Sequence, residues 1–150
     1  MALEDKLTKQ VSVFLENKSG RLLDVCQGLG VAGINIRALC IADTSDFGIL
    51  RLIVDDPEGA IQDLTAQGFS VGETHVLAVR VPDQPGGLGA VLENLRNLEI
   101  NVEYMYAFFT RVEGQAVVVF RVADDQMERV VGALEGAGVM IMPARDVYAI

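Results

Sequence analysis

The chain repeats itself. Val11, Val13 and Leu15 alternate as one face of a strand, and 66 positions on stand Leu77, Val79 and Val81. Leu22, Val25, Cys26 and Leu29 keep the i, i+3, i+4, i+7 spacing of a helix buried on one side, and the same shift gives Leu88, Val91, Leu92 and Leu95. Ile34-Asn35-Ile36 falls on Ile100-Asn101-Val102, Gly48 on Gly114, and Leu50, Leu52 and Val54 on Ala116, Val118 and Phe120. Few identities survive the shift, but the order of apolar positions does. A duplication kept at that level has packing as its shared constraint, so one fold must serve both halves.

Each half reads as βαββαβ. In the first, a strand is predicted over 9–16 and a helix over 20–31, with Gly33 free to take the positive φ that commonly follows a helix end. A strand over 34–42, a polar turn from Asp43 to Asp46 and a strand over 48–54 come next. Asp56 is placed to cap a second helix whose first position is Pro57. Gly68 closes that helix, and a last strand covers 69–75. The second half repeats the order. Asp125 and Glu128 have capping-box spacing at its second helix, and its final strand is predicted over 139–148.

With right-handed crossovers this order gives an α+β, ferredoxin-like fold: in each half an antiparallel four-stranded sheet with both helices on one face. The domains are expected at 1–75 and 76–150. No Gly/Ser/Pro linker separates them, because Val71 to Val81 is nearly continuous strand sequence. The two sheets are therefore expected to be tied closely, edge to edge or face to face. A half of this size buries little core alone. Phe14, Ile49 and Ile53 make the helix-free face apolar too, which predicts a homodimer.

Apolar residues make up 51% of the 150, and the formal net charge is −9. The first figure supplies a packed core and argues against disorder. The second repels phosphate backbones and anionic lipid, so neither nucleic acid nor a membrane is an expected partner. No apolar stretch approaches the roughly 18 residues of a spanning helix, and residues 1–10 lack the apolar region of a signal peptide, so a cytoplasmic protein is expected. Cys26 and Cys40 sit among apolar neighbours and read as buried, reduced thiols.

RNA-recognition domains share this order of elements. They need aromatic residues on the third strand, and 48–52 and 115–119 contain none. The chain has one histidine, His75, no Cys-His pair, no G-x-S-x-G and no metal-ligand spacing. It reads as no enzyme, with no metal and no cofactor. Asp55-Asp56 and Asp124-Asp125 resemble paired carboxylates but stand where helix caps are expected. Tyr104 and Tyr106 fit packing on a strand better than the wall of a pocket.

Two pairs of short motifs remain. The first half carries Glu16-Asn17-Lys18-Ser19-Gly20-Arg21-Leu22 and then Gly33-Ile34-Asn35-Ile36. The second carries Asp83-Gln84-Pro85-Gly86-Gly87-Leu88 and then Ile100-Asn101-Val102. Both resemble the ACT domain: a strand, an Asn/Asp-x-x-Gly-x-Leu turn, a helix, and a strand opening on Asn-Ile. The resemblance covers the whole chain and implies two tandem regulatory domains that bind a free amino acid where paired domains meet. As in the ACT pair of serine-regulated phosphoglycerate dehydrogenase, the ligand would lie between the first turn of one domain and the second strand of its neighbour, with an Asn on each side. Those roles fall on Asn17 and Asn35, and in the second half on Asn101. The turn residue there is Asp83, a departure from the pattern. The implied ligand-binding set is the whole of both turns, Asn17 to Leu22 and Asp83 to Leu88, with Asn35, Ile36, Asn101 and Val102.

Physical chemistry supports that set independently. Gly20 and Gly86 start helices, whose free amides carry partial positive charge and suit a carboxylate. Glycine lets a ligand approach the backbone. Asn17 can donate or accept, whereas Asp83 can only accept and would favour an ammonium. Lys18 and Arg21 add positive charge to the first turn only, so the two sites should be unequal, the first more anion-friendly. The same residues admit a plainer role: glycines shaping turns, asparagines tying strand edges, solvated lysine and arginine. On that alternative the chain is an interaction or regulatory subunit for a metabolic enzyme, with vestigial pockets.

Overall fold

The computed structural model describes residues 1–43, 46–110 and 113–150, the side chains of Asp43 and Phe109 excepted. Thr44 and Ser45, on which the expected turn from Asp43 to Asp46 falls, lie outside the described residues. The chain forms two compact units, Lys9–Thr74 and His75–Tyr148, the second including Met1–Thr8.

The elements in chain order are α1 (Leu3–Lys6), β1 (Thr8–Glu16), α2 (Arg21–Val31), β2 (Ile36–Asp43), β3 (Phe47–Val54), α3 (Pro57–Ala66) and β4 (Ser70–Pro82). They continue with α4 (Gly87–Arg96), β5 (Tyr104–Phe109), β6 (Gln115–Arg121), a 3-10 turn (Asp124–Gln126), α5 (Met127–Gly136) and α6 (Ala144–Tyr148). The 13-residue β4 runs without a break where the continuous strand sequence predicts it.

In the first unit the strand order is β2-β3-β1-β4. Val11, Val13 and Leu15 of β1 and Leu50, Leu52 and Val54 of β3 bury their side chains against Val25 and Leu29 of α2 and Ala60 and Leu64 of α3. The alternation read from the sequence is thus the helix-covered face, and period 2 in the strands meets period 3.6 in the helices. On the other face Phe14 is exposed and Ile49 half-buried, but Ile53 is fully buried. Cys26 and Cys40 are half-buried rather than buried.

The ends of α3 are as predicted. Asp56 accepts a hydrogen bond from the Gly59 amide at 3.1 Å, Pro57 fills the first turn, and Gly68 follows at φ 91°. Asp56→Ala is expected to cost about 1 kcal/mol and to lower the unfolding midpoint by roughly 4–8 °C, as read by circular dichroism. An unchanged midpoint would mean the cap is redundant. β2 begins two residues later than expected because Asn35 is tied to Asp55. Its N–H donates to Asp55 Oδ1 at 2.9 Å and its carbonyl accepts from the Asp55 amide at 3.1 Å.

In the second unit the order is β4-β6-β5, with Leu77, Val79, Val81, Val118 and Phe120 packed against α4 and α5. The fourth strand expected over 139–148 does not form. What remains is one bridge, Val79 to Ile141, held by Arg80 N–H to Met140 O at 3.0 Å and Met142 N–H to Ala78 O at 2.8 Å. The chain then turns into α6, with Pro143 O accepting from the Asp146 amide at 2.9 Å and the Val147 amide at 3.2 Å. The two separate four-stranded sheets of the sequence reading are corrected accordingly. Among the described residues there are six strands, and β4 contributes to both units.

The capping box at Asp125 and Glu128 is also absent. A 3-10 turn leads into α5, and no side chain caps either helix start. The adjacent acid, Asp124, is held by Arg121 at 2.7 Å instead, and that guanidinium keeps its carboxyl below the ordinary range. Arg121 also donates to His75 O at 2.8 Å.

Candidate functional site

Both units begin their first helix alike. A strand ends, a short turn follows, and a glycine in the left-handed region precedes the helix: Gly20 at φ 87° and Gly86 at φ 82°. Residues with a β-carbon rarely adopt that backbone, so the turn requires glycine. No side chain caps α2 or α4. The first amide of each helix is engaged within the turn, Arg21 N–H with Lys18 O at 3.4 Å and Gly87 N–H with Gln84 O at 3.0 Å, and the amides that follow, electropositive through the helix dipole, are left to a ligand or to water.

The turns differ in what surrounds them. In the first, Asn17, Lys18, Arg21 and Leu22 line a small pocket of about 160 Å³ with Ile41 and Phe47, while Ser19 and Gly20 are exposed. Its positive charges are compensated within the turn. Lys18 pairs with Glu16 at 2.8 Å, and Arg21 lies 3.6 Å from Glu16 and 3.7 Å from Asp24. The Lys18 ammonium, hydrogen-bonded to Glu16, holds that carboxyl below its ordinary range. The first turn therefore lacks the surplus positive charge expected of it. The i, i+3 spacing of Arg21 and Asp24 on a helix was the available signal.

In the second, Gln84, Pro85, Gly86 and Gly87 line a cleft of about 540 Å³. Ala90, Val91 and Asn94 of α4 form its floor, and Ala137 to Met140 its far wall. Asp83 and Leu88 are not among the lining residues. The Asp83 amide instead donates to Gly114 O at 2.9 Å, fixing the turn against the start of β6. Sequence reading missed the far wall, since no periodicity points from 137–140 to the turn.

Asn35, Ile36, Asn101 and Val102 lie away from the turns of their own halves. On β3, Phe47 pairs with Glu16 and Val54 with Ile36, so these ends of the sheet are separated by roughly 23 Å at the rise of a strand. On β6, Gln115 pairs with Pro82 and Arg121 with Tyr104, a separation of roughly 20 Å. Neither half brings its own turn and its own Asn-Ile or Asn-Val pair together. A ligand touching both kinds of residue must be shared by two domains.

A family model described as an ACT domain pair matches residues 7–138. The chain belongs to the ACT domain-pair family. This ACT pair is 40% identical to a protein of Bacteroides thetaiotaomicron whose crystal structure it matches at a TM-score of 0.91, over 98% of this chain and 99% of that one. The regulatory subunit of aspartate kinase from Thermus thermophilus shares the fold at 14% identity and a TM-score of 0.63, with 91% and 95% of the two chains covered. Its counterpart from Thermus flavus does so at 14% and 0.60, with 87% and 92% covered. No curated protein sequence matches. Among the described residues of the ACT pair, no group of three or more His, Cys, Asp or Glu could hold a metal ion, and no helix is long and apolar enough to cross a membrane.

Proposed function

We propose that this ACT pair is a non-catalytic, cytoplasmic regulatory protein that binds a free amino acid between the first turn of one domain and the second strand of its neighbour. One observation carries the reading: both units start a helix uncapped behind a left-handed glycine, so each turn offers bare amides to a carboxylate. The separation of each turn from the Asn of its own half agrees with a ligand shared by two domains. That a regulatory subunit of an aspartate kinase is built on this fold supports a regulatory role, with a metabolic enzyme as the partner regulated. Exposed Phe14 and Phe47 in the first unit, their rings 5.4 Å apart, support homodimerisation.

Thermal unfolding against each of the twenty amino acids tests the proposal. A ligand at about 100 times its dissociation constant adds roughly 2.7 kcal/mol, which raises the midpoint by several degrees. Asn17→Ala and Asn101→Ala should remove the shift. If no amino acid at millimolar concentration moves the midpoint, the second reading takes over: an interaction subunit with vestigial pockets, favoured by the compensated charges and small volume at the first turn.

A further inference from the structure

The segment before β1 groups with the second unit: Met1–Thr8 belongs with His75–Tyr148, although it runs directly into a strand of the first. Its one regular element is α1, four residues long, with no side-chain cap and no buried residue. A helix this short has no stability of its own in water, so it forms only where it is docked. Leu3, Lys6 and Leu7 dock it. The two leucines, both half-buried, pack against the core under α4 and α5. Lys6, its side chain 19% exposed, donates to Glu135 Oε1 at 2.5 Å. α1 also lies against α6. Thr8, the next residue, is fully buried, so the piece that can come away is Met1 to Leu7.

These anchors bracket the far wall of the second-half cleft. Glu135 lies in the last turn of α5, just before Ala137, and α6 starts at Ala144, just after Met140. The Glu135 carbonyl accepts from the Gly138 amide at 3.0 Å, and Leu134 O accepts from the Val139 amide at 2.9 Å. Val139 and Ile141 pack against the same core as Leu3 and Leu7. What holds Glu135 therefore holds the start of the wall. The first half makes the same turn without this support. Across the second helices the offset is 70, and there Thr65 O accepts from the Gly68 amide at 3.0 Å and Leu64 O from the Phe69 amide at 3.0 Å. Thr65, in the place of Glu135, carries no charge. Phe69, in the place of Val139, is held from its own half by the Arg21 guanidinium, 5.3 Å from the ring centroid. At the offset of 66 the counterpart of Arg21 is Gly87, which has no side chain to offer.

We infer that Met1–Leu7 is a clasp on the second-half cleft: docked, it fixes residues 137–140, and released, it lets that wall move, a control that the first half lacks. A short segment held by two half-buried leucines and one ion pair sits at the low-stability end of a fold, where local opening precedes global unfolding. It has a docked and an undocked state, and whatever shifts that balance shifts the wall. The meaning of the clasp for binding rests on the reading of the cleft as a site, but the wall can be measured with no ligand present.

Amide hydrogen exchange of the full chain tests it, read at Gly138 and Val139 with Gly68 and Phe69 as the internal reference. Leu3→Ala combined with Leu7→Ala removes the apolar anchors. Exchange at Gly138 and Val139 is expected to rise on the order of tenfold, while Gly68 and Phe69 keep the rates of the parent chain. Lys6→Met keeps the stem of the side chain and loses the ion pair, and a smaller rise is expected at the same two amides. That variant decides the question should the double variant not fold. Unchanged exchange at Gly138 and Val139 would overturn the clasp. So would an equal rise at all four amides, because the segment would then stabilise the whole chain and not one wall. If the wall loosens as expected while no amino acid moves the unfolding midpoint, the clasp stands and the amino-acid reading fails.

Discussion

Replacing Gly87 with alanine is expected to destabilise the second unit by about 1–3 kcal/mol, while the same change at Gly89 stabilises it by up to about 1 kcal/mol. Both residues lie in the first turn of α4. A β-carbon on Gly87 would sit 2.1 Å from Pro82 O and 3.2 Å from Pro82 C. That oxygen is no loose side chain. It accepts from the Gln84 amide at 2.9 Å, and Gln84 O accepts from the Gly87 amide at 3.0 Å. To make room, the turn that forms one wall of the cleft must open. A β-carbon on Gly89 meets nothing within 4 Å, so only its gain in helix propensity counts. Urea unfolding of the two variants gives stability. Gly87→Ala should unfold at lower urea than the parent chain, and Gly89→Ala at equal or higher urea. Equal effects from the two would remove the close approach at Pro82 from the account of this turn.

The contrast also marks how far the sequence can be read. The shift of 66 shows both turns, the helix faces and the strand alternation, since each rests on local spacing that packing preserves. Pro57 and Asp56 announce α3, and the glycines at Gly33, Gly68, Gly20 and Gly86 all take positive φ. What stays hidden depends on partners far along the chain. The start of β2 is set by Asp55, twenty positions from Asn35. The last strand is cut to one bridge because the chain turns into α6, whose start accepts on Pro143 O. The cap expected at Asp125 is absent, and the neighbouring Asp124 is engaged by Arg121. The cleft is the clearest case: that Val139 lines the same cleft as Gly86 follows from how α5 packs on the sheet, and no motif encodes it. Even so, the duplication contains the comparison. Once the second helices are aligned at their own offset of 70, the exchange of Phe69 for Val139 and Gln67 for Ala137 can be read from the letters alone.

Packing sets the last expected effect, and it separates two phenylalanines that composition treats alike. Phe120, 1% exposed, is the largest fully buried side chain among the described residues, set between Leu77 of β4 and Met105 of β5 and belonging to the core under α4 and α5. Phe120→Ala should cost about 3–5 kcal/mol, the lost transfer of the ring plus the cavity it leaves. That is a large share of the roughly 5–15 kcal/mol that holds a domain folded. Phe14, 50% exposed, touches the Phe47 ring on an otherwise open stretch of β1. In a monomer Phe14→Ala should change stability by no more than about 0.5 kcal/mol. If two copies associate through this face, the same substitution acts through the association instead. Its cost then grows with protein concentration, because binding stabilises by mass action. Urea unfolding of both variants at two concentrations a hundredfold apart separates the cases. A Phe14→Ala effect that is small and independent of concentration would remove this face from the proposed homodimer, whereas the effect of Phe120→Ala is expected to be large at either concentration.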